Sequence, residues 1–126
     1  MSKKIINTQN APDAIGPYSQ AVEANNMIFT SGQLPINKQT GNLISDDIKK
    51  ATAQAFENLK AILEQAGSSL NKVVKVTVFL KNLDDFAAMN EVYATYFTEN
   101  YPARSAFQVA KLPLDAIIEI EAIALA

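Results

Sequence analysis

The chain has 126 residues and a formal net charge of −2, with 48% hydrophobic and 19% charged residues. This size and composition predict one globular domain over residues 1–126 and exclude a disordered chain. The acidic balance disfavours a nucleic-acid-binding protein. Lysines that lie close together in the sequence keep a local basic patch as an alternative, although such lysines commonly form only a solvated face.

The residue types that are missing restrict the chemistry. The sequence contains neither histidine nor cysteine, which excludes an imidazole base, a thiolate nucleophile and a zinc site built from those ligands. No apolar run is long enough to cross a bilayer, and the start of the chain lacks the apolar core of a signal peptide. We therefore expect a cytosolic protein, which the absence of cysteine also fits.

The first third of the chain predicts strands around an ordered loop. A short strand is expected near residues 3–7, and the loop 10–19 contains two prolines and a glycine. Residues 20–23 and 27–31 predict a hairpin, because the Asn-Asn pair in the connection 24–26 tolerates positive φ.

A helix is predicted from Asp46 to Ala66. It begins at an N-cap of Ser45 or Asp46 and ends at a C-cap of Gly67. Its apolar residues recur at helical spacing, at Ile48, Ala51, Ala55, Leu59, Ile62, Leu63 and Ala66.

The second half predicts a strand, a helix and two more strands. The strand 73–80 places Val74, Val76, Val78 and Leu80 on one face. The helix 84–97 carries an apolar stripe formed by Phe86, Met89, Tyr93 and Phe97. Further strands are expected at 104–110 and 117–125.

This order of elements predicts an α+β fold, in which two helices cover one face of a mixed sheet. In the last strand, Ile117, Ile123 and Leu125 point to the uncovered face. Because a lone subunit would expose this apolar surface, we expect a closed homo-oligomer whose sheets face one another.

Several polar residues interrupt the apolar patterns. Asn90 projects from the apolar stripe of the second helix, either as a structural hydrogen-bonding group or as part of a site wall. Glu119 and Glu121 lie on one strand face, ~7 Å apart. Desolvation and mutual repulsion would raise a carboxyl pKa there, as suits proton transfer near neutral pH. Two rim carboxylates that face solvent or an intersubunit lysine, or the carboxylate pair of a glycoside hydrolase, remain alternatives.

Arg104 is the only arginine in the sequence. Its planar fork can hold a small carboxylate through two hydrogen bonds, although a surface ion pair is an equal alternative. Ser31 and Ser105 have no histidine to activate them, so structural or ligand-orienting roles are expected for both hydroxyls.

Four segments resemble the Rid (YjgF/YER057c/UK114) family. They are AIGPYSQA at 14–21, FTSGQLP at 29–35, PARS at 102–105 and IEIEAIA at 118–124. The stretches 75–83 and 85–93 are also similar, so the resemblance covers nearly the whole chain in order.

The resemblance implies a chorismate-mutase-like fold and a homotrimer with ligand clefts between adjacent subunits. In the family's deaminase branch, the arginine matching Arg104 binds the substrate carboxylate. The glutamate matching Glu119 positions or activates the hydrolytic water. Tyr18, Gly32 and Asn90 match other positions in the cleft.

One departure from the family pattern lies near Arg104. Many members have a cysteine two residues after the arginine, where this chain has Ala106 followed by Phe107. Imine hydrolysis needs no thiol nucleophile, so this change is expected to alter the shape and preference of the cleft rather than to abolish activity.

The activity expected from the resemblance is hydrolysis of 2-iminopropanoate and 2-iminobutanoate to 2-keto acids and ammonia, which would limit damage by reactive metabolites. Arg104 would clamp the carboxylate, while Tyr18, Ser31, Gly32 and Ser105 would close the pocket or orient the ligand. Neither metal nor organic cofactor is expected. Alternatives are a regulatory module that binds a small carboxylate, a ribonuclease or translation inhibitor, and a chaperone-like protein. Chorismate mutase activity rests on fold analogy alone.

Overall fold

A computed structural model describes residues 2–126 of the chain. Its strands are β1 (Lys4–Ile6), β2 (Ala21–Ala24), β3 (Met27–Thr30), β4 (Val73–Leu80), β5 (Ala103–Gln108) and β6 (Ile118–Leu125), and its helices are α1 (Ile48–Gln65) and α2 (Phe86–Tyr96). Short 3₁₀ turns occupy Leu70–Lys72, Leu83–Asp85 and Pro113–Asp115. No helix in the described range is long and apolar enough to cross a membrane.

The strands form one mixed sheet in the order β1-β2-β3-β6-β4-β5. Only the pair β4 and β5 is parallel within this sheet, and α2 lies in the connection between those two strands. A parallel pair needs such a crossover, whereas the antiparallel strands can be joined by short turns. The predicted α+β class and the mixed sheet are confirmed.

The hairpin of β2 and β3 also follows the prediction. Asn25 and Asn26 form its two-residue turn with φ values of 52° and 60°. Two successive residues with positive φ match the twist of the flanking strands, and asparagine accepts this conformation more readily than most residues.

The first helix is confirmed, with different caps. The side chain of Asp47 accepts a hydrogen bond from the backbone N–H of Lys50 at 3.1 Å, so the predicted N-cap at Ser45 or Asp46 was wrong. The helix ends with Ala66 as its C-cap, and Gly67 follows with φ +81°. Gly67 therefore lies one position after the C-cap and not at the C-cap itself, as was predicted, and its positive φ ends the helix.

The face assignment of Val74 was wrong. A β-bulge between Val73 and Lys75 shifts the register of β4 against β6, so that Val73 is buried and Val74 exposed. An extra residue in a bulge reverses the alternation of side chains on one side of it. From Val76 onward, the predicted core face is correct.

The second helix begins later than predicted. Residues Leu83–Asp85 form a 3₁₀ turn, and the α-helical part starts at Phe86. The side chain of Asn82 accepts a hydrogen bond from the backbone N–H of Asp84 at 2.9 Å, and so caps this turn.

The core lies between the helices and one face of the sheet. On β6, this face presents four buried residues, Ile118, Ile120, Ala122 and Ala124, and α1 covers them with side chains that include Leu59, Ile62 and Leu63. Both helices therefore pack on one side, as predicted.

The other face of the sheet is apolar and partly open. Phe29, Phe107 and Leu125 are 40%, 43% and 48% exposed, and Ile123 lies beside Phe29 in the register. Ile117 precedes β6 and packs against the core, so its predicted place on the open face was wrong. The rest of the predicted apolar surface is present.

Candidate functional site

The Glu119 carboxylate lies directly against Gly32. Gln33 and Ile120 exchange two backbone hydrogen bonds, of 2.7 and 3.1 Å, and this isolated bridge holds the segment after β3 beside β6. A Cβ atom on residue 32 would lie 2.5 Å from the Oε2 atom of Glu119 and 2.7 Å from its Cδ atom. Only glycine allows the carboxyl group to occupy this position without displacement.

A cleft of about 560 Å³ opens above this contact. Tyr18, Ser31, Gly32 and Glu119 line it together with mainly apolar residues, which include Ile15, Leu34, Ile36, Pro113 and Leu114. The volume is in the range that holds a small organic ligand. The lining contains carboxylates at Asp13 and Glu119 and no arginine or lysine.

The loop that carries Tyr18 is fixed by the buried side chain of Gln20. Its amide oxygen accepts from the backbone N–H of Thr8 at 2.7 Å, and its Nε2 donates to the carbonyls of Thr8 at 3.1 Å and Pro12 at 2.8 Å. The Ser31 hydroxyl donates to the Ser19 carbonyl at 2.6 Å. These bonds hold both sides of the cleft in place, and they give Ser31 a structural role.

Burial raises the pKa of the Glu119 carboxyl above its ordinary value, and the negative charge of Glu121 raises it further. Both side chains are half-buried on the same face of β6, as the strand alternation predicted. The two differ in their surroundings, because Glu119 lines the cleft against Gly32 and Glu121 does not. A carboxyl group with a raised pKa can accept and return a proton near neutral pH.

Arg104 lies on the helix side of the sheet. It is paired in register with the buried Val76, and its Nη1 donates to the Oδ1 atom of Asn90 on α2 at 2.7 Å. The guanidinium carbon also lies over two rings of α2, at 4.6 Å from the centre of Tyr93 and 5.3 Å from that of Phe86. These ring contacts were not predicted, because helical spacing alone places both aromatic residues in the core stripe.

Ser105 points to the open face, since it pairs with Thr77 and its hydroxyl accepts a hydrogen bond from Lys75 Nζ at 3.0 Å. The predicted site residues therefore form three groups in one chain. Tyr18, Ser31, Gly32 and Glu119 share a cleft, Arg104 pairs with Asn90, and Ser105 meets Lys75. Glu119 lies beside Phe79 on the face opposite to Arg104, so a single subunit does not bring these two charged groups together.

Comparison with known proteins identifies the family. The family described as Endoribonuclease L-PSP matches residues 8–126 of the chain. This is the family that the four sequence segments resemble, so the chain belongs to the Rid (YjgF/YER057c/UK114) family.

Relatives of known name cover almost the full chain. A RutC family protein of Pyrococcus horikoshii is 60% identical over 122 residues, 97% of each sequence. The 2-iminobutanoate/2-iminopropanoate deaminase of Escherichia coli K12 is 52% identical over 124 residues, 96% of each sequence. The crystal structure of E. coli TdcF with bound serine superposes with a TM-score of 0.93 at 49% identity, over 98% of each chain. The RutC family name states no reaction, whereas the name of the E. coli K12 deaminase does.

Proposed function

We propose that this Rid protein hydrolyses 2-imino acids such as 2-iminopropanoate and 2-iminobutanoate to 2-keto acids and ammonia. The observation that carries the proposal is the half-buried Glu119 carboxyl, which lies against Gly32 in an apolar cleft with its pKa raised. The name of the E. coli deaminase that is 52% identical supports the substrate class.

Glu119 would act first as a general base. It takes a proton from a bound water as the water oxygen adds to the imine carbon, and this addition gives a tetrahedral carbinolamine. The protonated carboxyl returns this proton to the nitrogen of the adduct. The carboxylate then takes the remaining hydroxyl proton and passes it to the same nitrogen, so that the C–N bond breaks, ammonia leaves and the carbonyl forms. Each turnover consumes one water and leaves Glu119 in its starting state. The raised pKa favours proton transfer at Glu119, because burial makes the carboxylate a stronger base than an exposed glutamate.

Arg104 would bind the substrate carboxylate. Its guanidinium can form two parallel hydrogen bonds with a carboxylate, each charged bond contributing about 1.5–3 kcal/mol when shielded. The cleft around Glu119 has no positive lining residue of its own. A positive group from outside this lining is therefore needed to hold an anionic imino acid there.

The proposal requires more than one copy of the chain. Glu119 and Arg104 lie on opposite faces of one sheet, so a small imino acid can contact both only where a neighbouring subunit supplies one of them. The open sheet face, with Phe29, Phe107 and Leu125 partly exposed, offers an apolar surface for such contacts. We therefore propose a homotrimer with clefts between subunits. Tyr18 and Gly32 would come from one subunit, and Asn90 from its neighbour.

A ribonuclease is the second candidate, and the description of the matching family favours it. The net charge of −2 and the Glu119 carboxylate in the cleft argue against a polyanionic substrate. Failure to bind single-stranded RNA at low salt would remove this candidate. A module that binds a small carboxylate without turnover would use the same cleft, and it would show ligand binding but no ammonia release.

The assay generates 2-iminobutanoate with threonine dehydratase and traps the remaining imine with semicarbazide. The wild-type protein should accelerate release of the keto acid, whereas Arg104→Ala should not. Arg104→Lys, which keeps the charge but loses the fork, should lose most of the activity. Lys60→Ala, on the exposed face of α1, is the matched control for loss of one positive charge. Wild-type turnover by Arg104→Lys would contradict the clamp, and no acceleration by the wild type would contradict the deaminase.

A further inference from the structure

The α2 surface beneath Arg104 is built from residues at helical spacing. Phe86, Asn90 and Tyr93 stand at positions i, i+4 and i+7 of the helix, so they lie on one face. The rings of the two aromatic residues make cation–π contacts with the guanidinium, and Asn90 accepts a hydrogen bond from one of its N–H groups. We call these three residues the α2 cradle.

We infer that Phe86 and Tyr93 are positioning residues, which hold the Arg104 guanidinium in the orientation that binds a carboxylate. The inference rests on the proposed function for its substrate, and on geometry for the cradle itself. Asn90 belongs to the same device, because its Oδ1 accepts from Arg104 at 2.7 Å. Asn90 thus acts through the arginine.

Arg104 needs such a support because of its place in the fold. It lies on the edge strand β5, it is exposed, and no ion pair among residues 2–126 includes it. A free arginine side chain carries about 2 kcal/mol of rotamer entropy, which must be lost when it binds a ligand. Contact with the two rings lowers that loss by ordering the side chain before the ligand binds.

The contacts of the cradle leave the guanidinium able to bind. The guanidinium carbon lies over the two rings, whereas the N–H donors of the group lie in its own plane and point away from that carbon. One N–H of Arg104 Nη1 donates to the Oδ1 atom of Asn90, so four of the five N–H donors of the arginine remain for other partners. A forked pair with a carboxylate uses two of them.

The size of the effect follows from the fraction of molecules in which the arginine is correctly placed. Loss of one cation–π contact at an exposed site lowers that fraction by a factor of roughly two to five. The apparent affinity falls by the same factor when the competent state becomes less populated. Phe86→Leu should therefore raise the KM for 2-iminobutanoate roughly two- to fivefold, with a smaller change in kcat.

The first experiment needs no activity. Arg104 is the only arginine, so the protein has a single arginine Nε–H signal in its ¹H–¹⁵N NMR spectrum. The rings should shift this signal upfield in the wild type. The shift should shrink in Phe86→Leu and persist in Tyr93→Phe, which keeps the ring. Phe97→Leu is the matched control, because Phe97 packs on Phe56 and Tyr93 at the end of α2 and makes no ring contact with Arg104. A wild-type signal at the position of free arginine would overturn the cradle.

The second experiment tests the consequence for binding. Affinity for 2-oxobutanoate is measured by calorimetry for the wild type, for Phe86→Leu, and for both proteins with Arg104→Lys. Phe86→Leu should weaken binding in the presence of the arginine and have little effect once lysine replaces it. An equal loss in both backgrounds would show that Phe86 acts by general packing, and it would overturn the positioning role. A protein that shows the NMR shift and binds 2-oxobutanoate but does not hydrolyse imines would refute the proposed function and leave the cradle intact.

Discussion

Replacing Gly32 by alanine should displace the Glu119 carboxylate while leaving the fold intact. The new Cβ would lie 2.5 Å from Glu119 Oε2, where ordinary contact begins at 3.4 Å, so the carboxyl group must move by about 1 Å. The group that moves is the end of a flexible side chain, and Gly32 does not have positive φ. An alanine can therefore be accommodated without backbone strain.

The expected result is a large loss of activity without a loss of stability. A misplacement of about 1 Å at a reacting group can reduce the rate ~100-fold, which corresponds to about 2.7 kcal/mol in the barrier. Where its conformation is allowed, replacement of glycine by alanine stabilises by about 0.4–1 kcal/mol, through the unfolded state. Imine hydrolysis and urea unfolding of the same preparation measure the two effects.

Gly41→Ala is the control, because it should show the opposite pattern. Gly41 has φ +76°, and a Cβ atom added to it would have no other atom within 4 Å, so a side chain meets open space but the backbone becomes strained. We expect a loss of about 1–2 kcal/mol in the free energy of unfolding and full activity. Normal turnover by Gly32→Ala would refute the assignment of the Gly32 and Glu119 contact to catalysis.

Three further predictions concern titration and burial. Glu121→Gln removes the charge that helps raise the pKa of Glu119, so the acid limb of the kcat/KM profile should move to lower pH, whereas Glu64→Gln on α1 should leave it in place. Since the folded state raises the pKa of Glu119, its contribution to stability is complete below the ordinary value of 4.5 and is lost as pH rises through the folded value. Glu119→Gln should therefore raise the melting temperature at pH 7 but not at pH 4, and an equal effect at both would contradict the burial argument. The Tyr93 hydroxyl is buried without a hydrogen-bond partner in the described part of the chain. Tyr93→Phe should therefore raise the free energy of unfolding in urea by about 1 kcal/mol. A lower free energy of unfolding would contradict the view that this hydroxyl is unsatisfied.

The sequence predicted the elements of the fold well because their patterns are local. The hairpin with Asn25 and Asn26, the periodicity of α1 and the alternation along β6 each depend on neighbouring residues, and all three are present. Val74 was misassigned because the bulge in β4 depends on pairing with β6, which lies more than 40 residues away in the sequence. The N-cap at Asp47 was missed for another reason. Three successive residues, Ser45, Asp46 and Asp47, all suit that position, and only the backbone geometry selects one.

The candidate site was less predictable, because it depends on contacts between distant segments. Strand alternation put Glu119 and Glu121 on one face, but only the bridge from Gln33 to Ile120 places Gly32 beside the first of them. The spacing of Phe86, Asn90 and Tyr93 was visible in the sequence. Their contact with Arg104 could not be predicted, because it depends on the parallel pairing of β4 and β5, which brings Arg104 over α2.

The central claim is that Glu119 of one subunit and Arg104 of another act on the same imine. Arg104→Ala and Glu119→Gln are unfolded together in equal amounts, refolded, and assayed for hydrolysis of 2-iminobutanoate beside each variant refolded alone. If each cleft takes the two groups from different copies at random, about one quarter of the clefts will contain both, and the mixture should recover about one quarter of wild-type activity. A mixture that exchanges subunits and still shows no more activity than its inactive parents would contradict the claim.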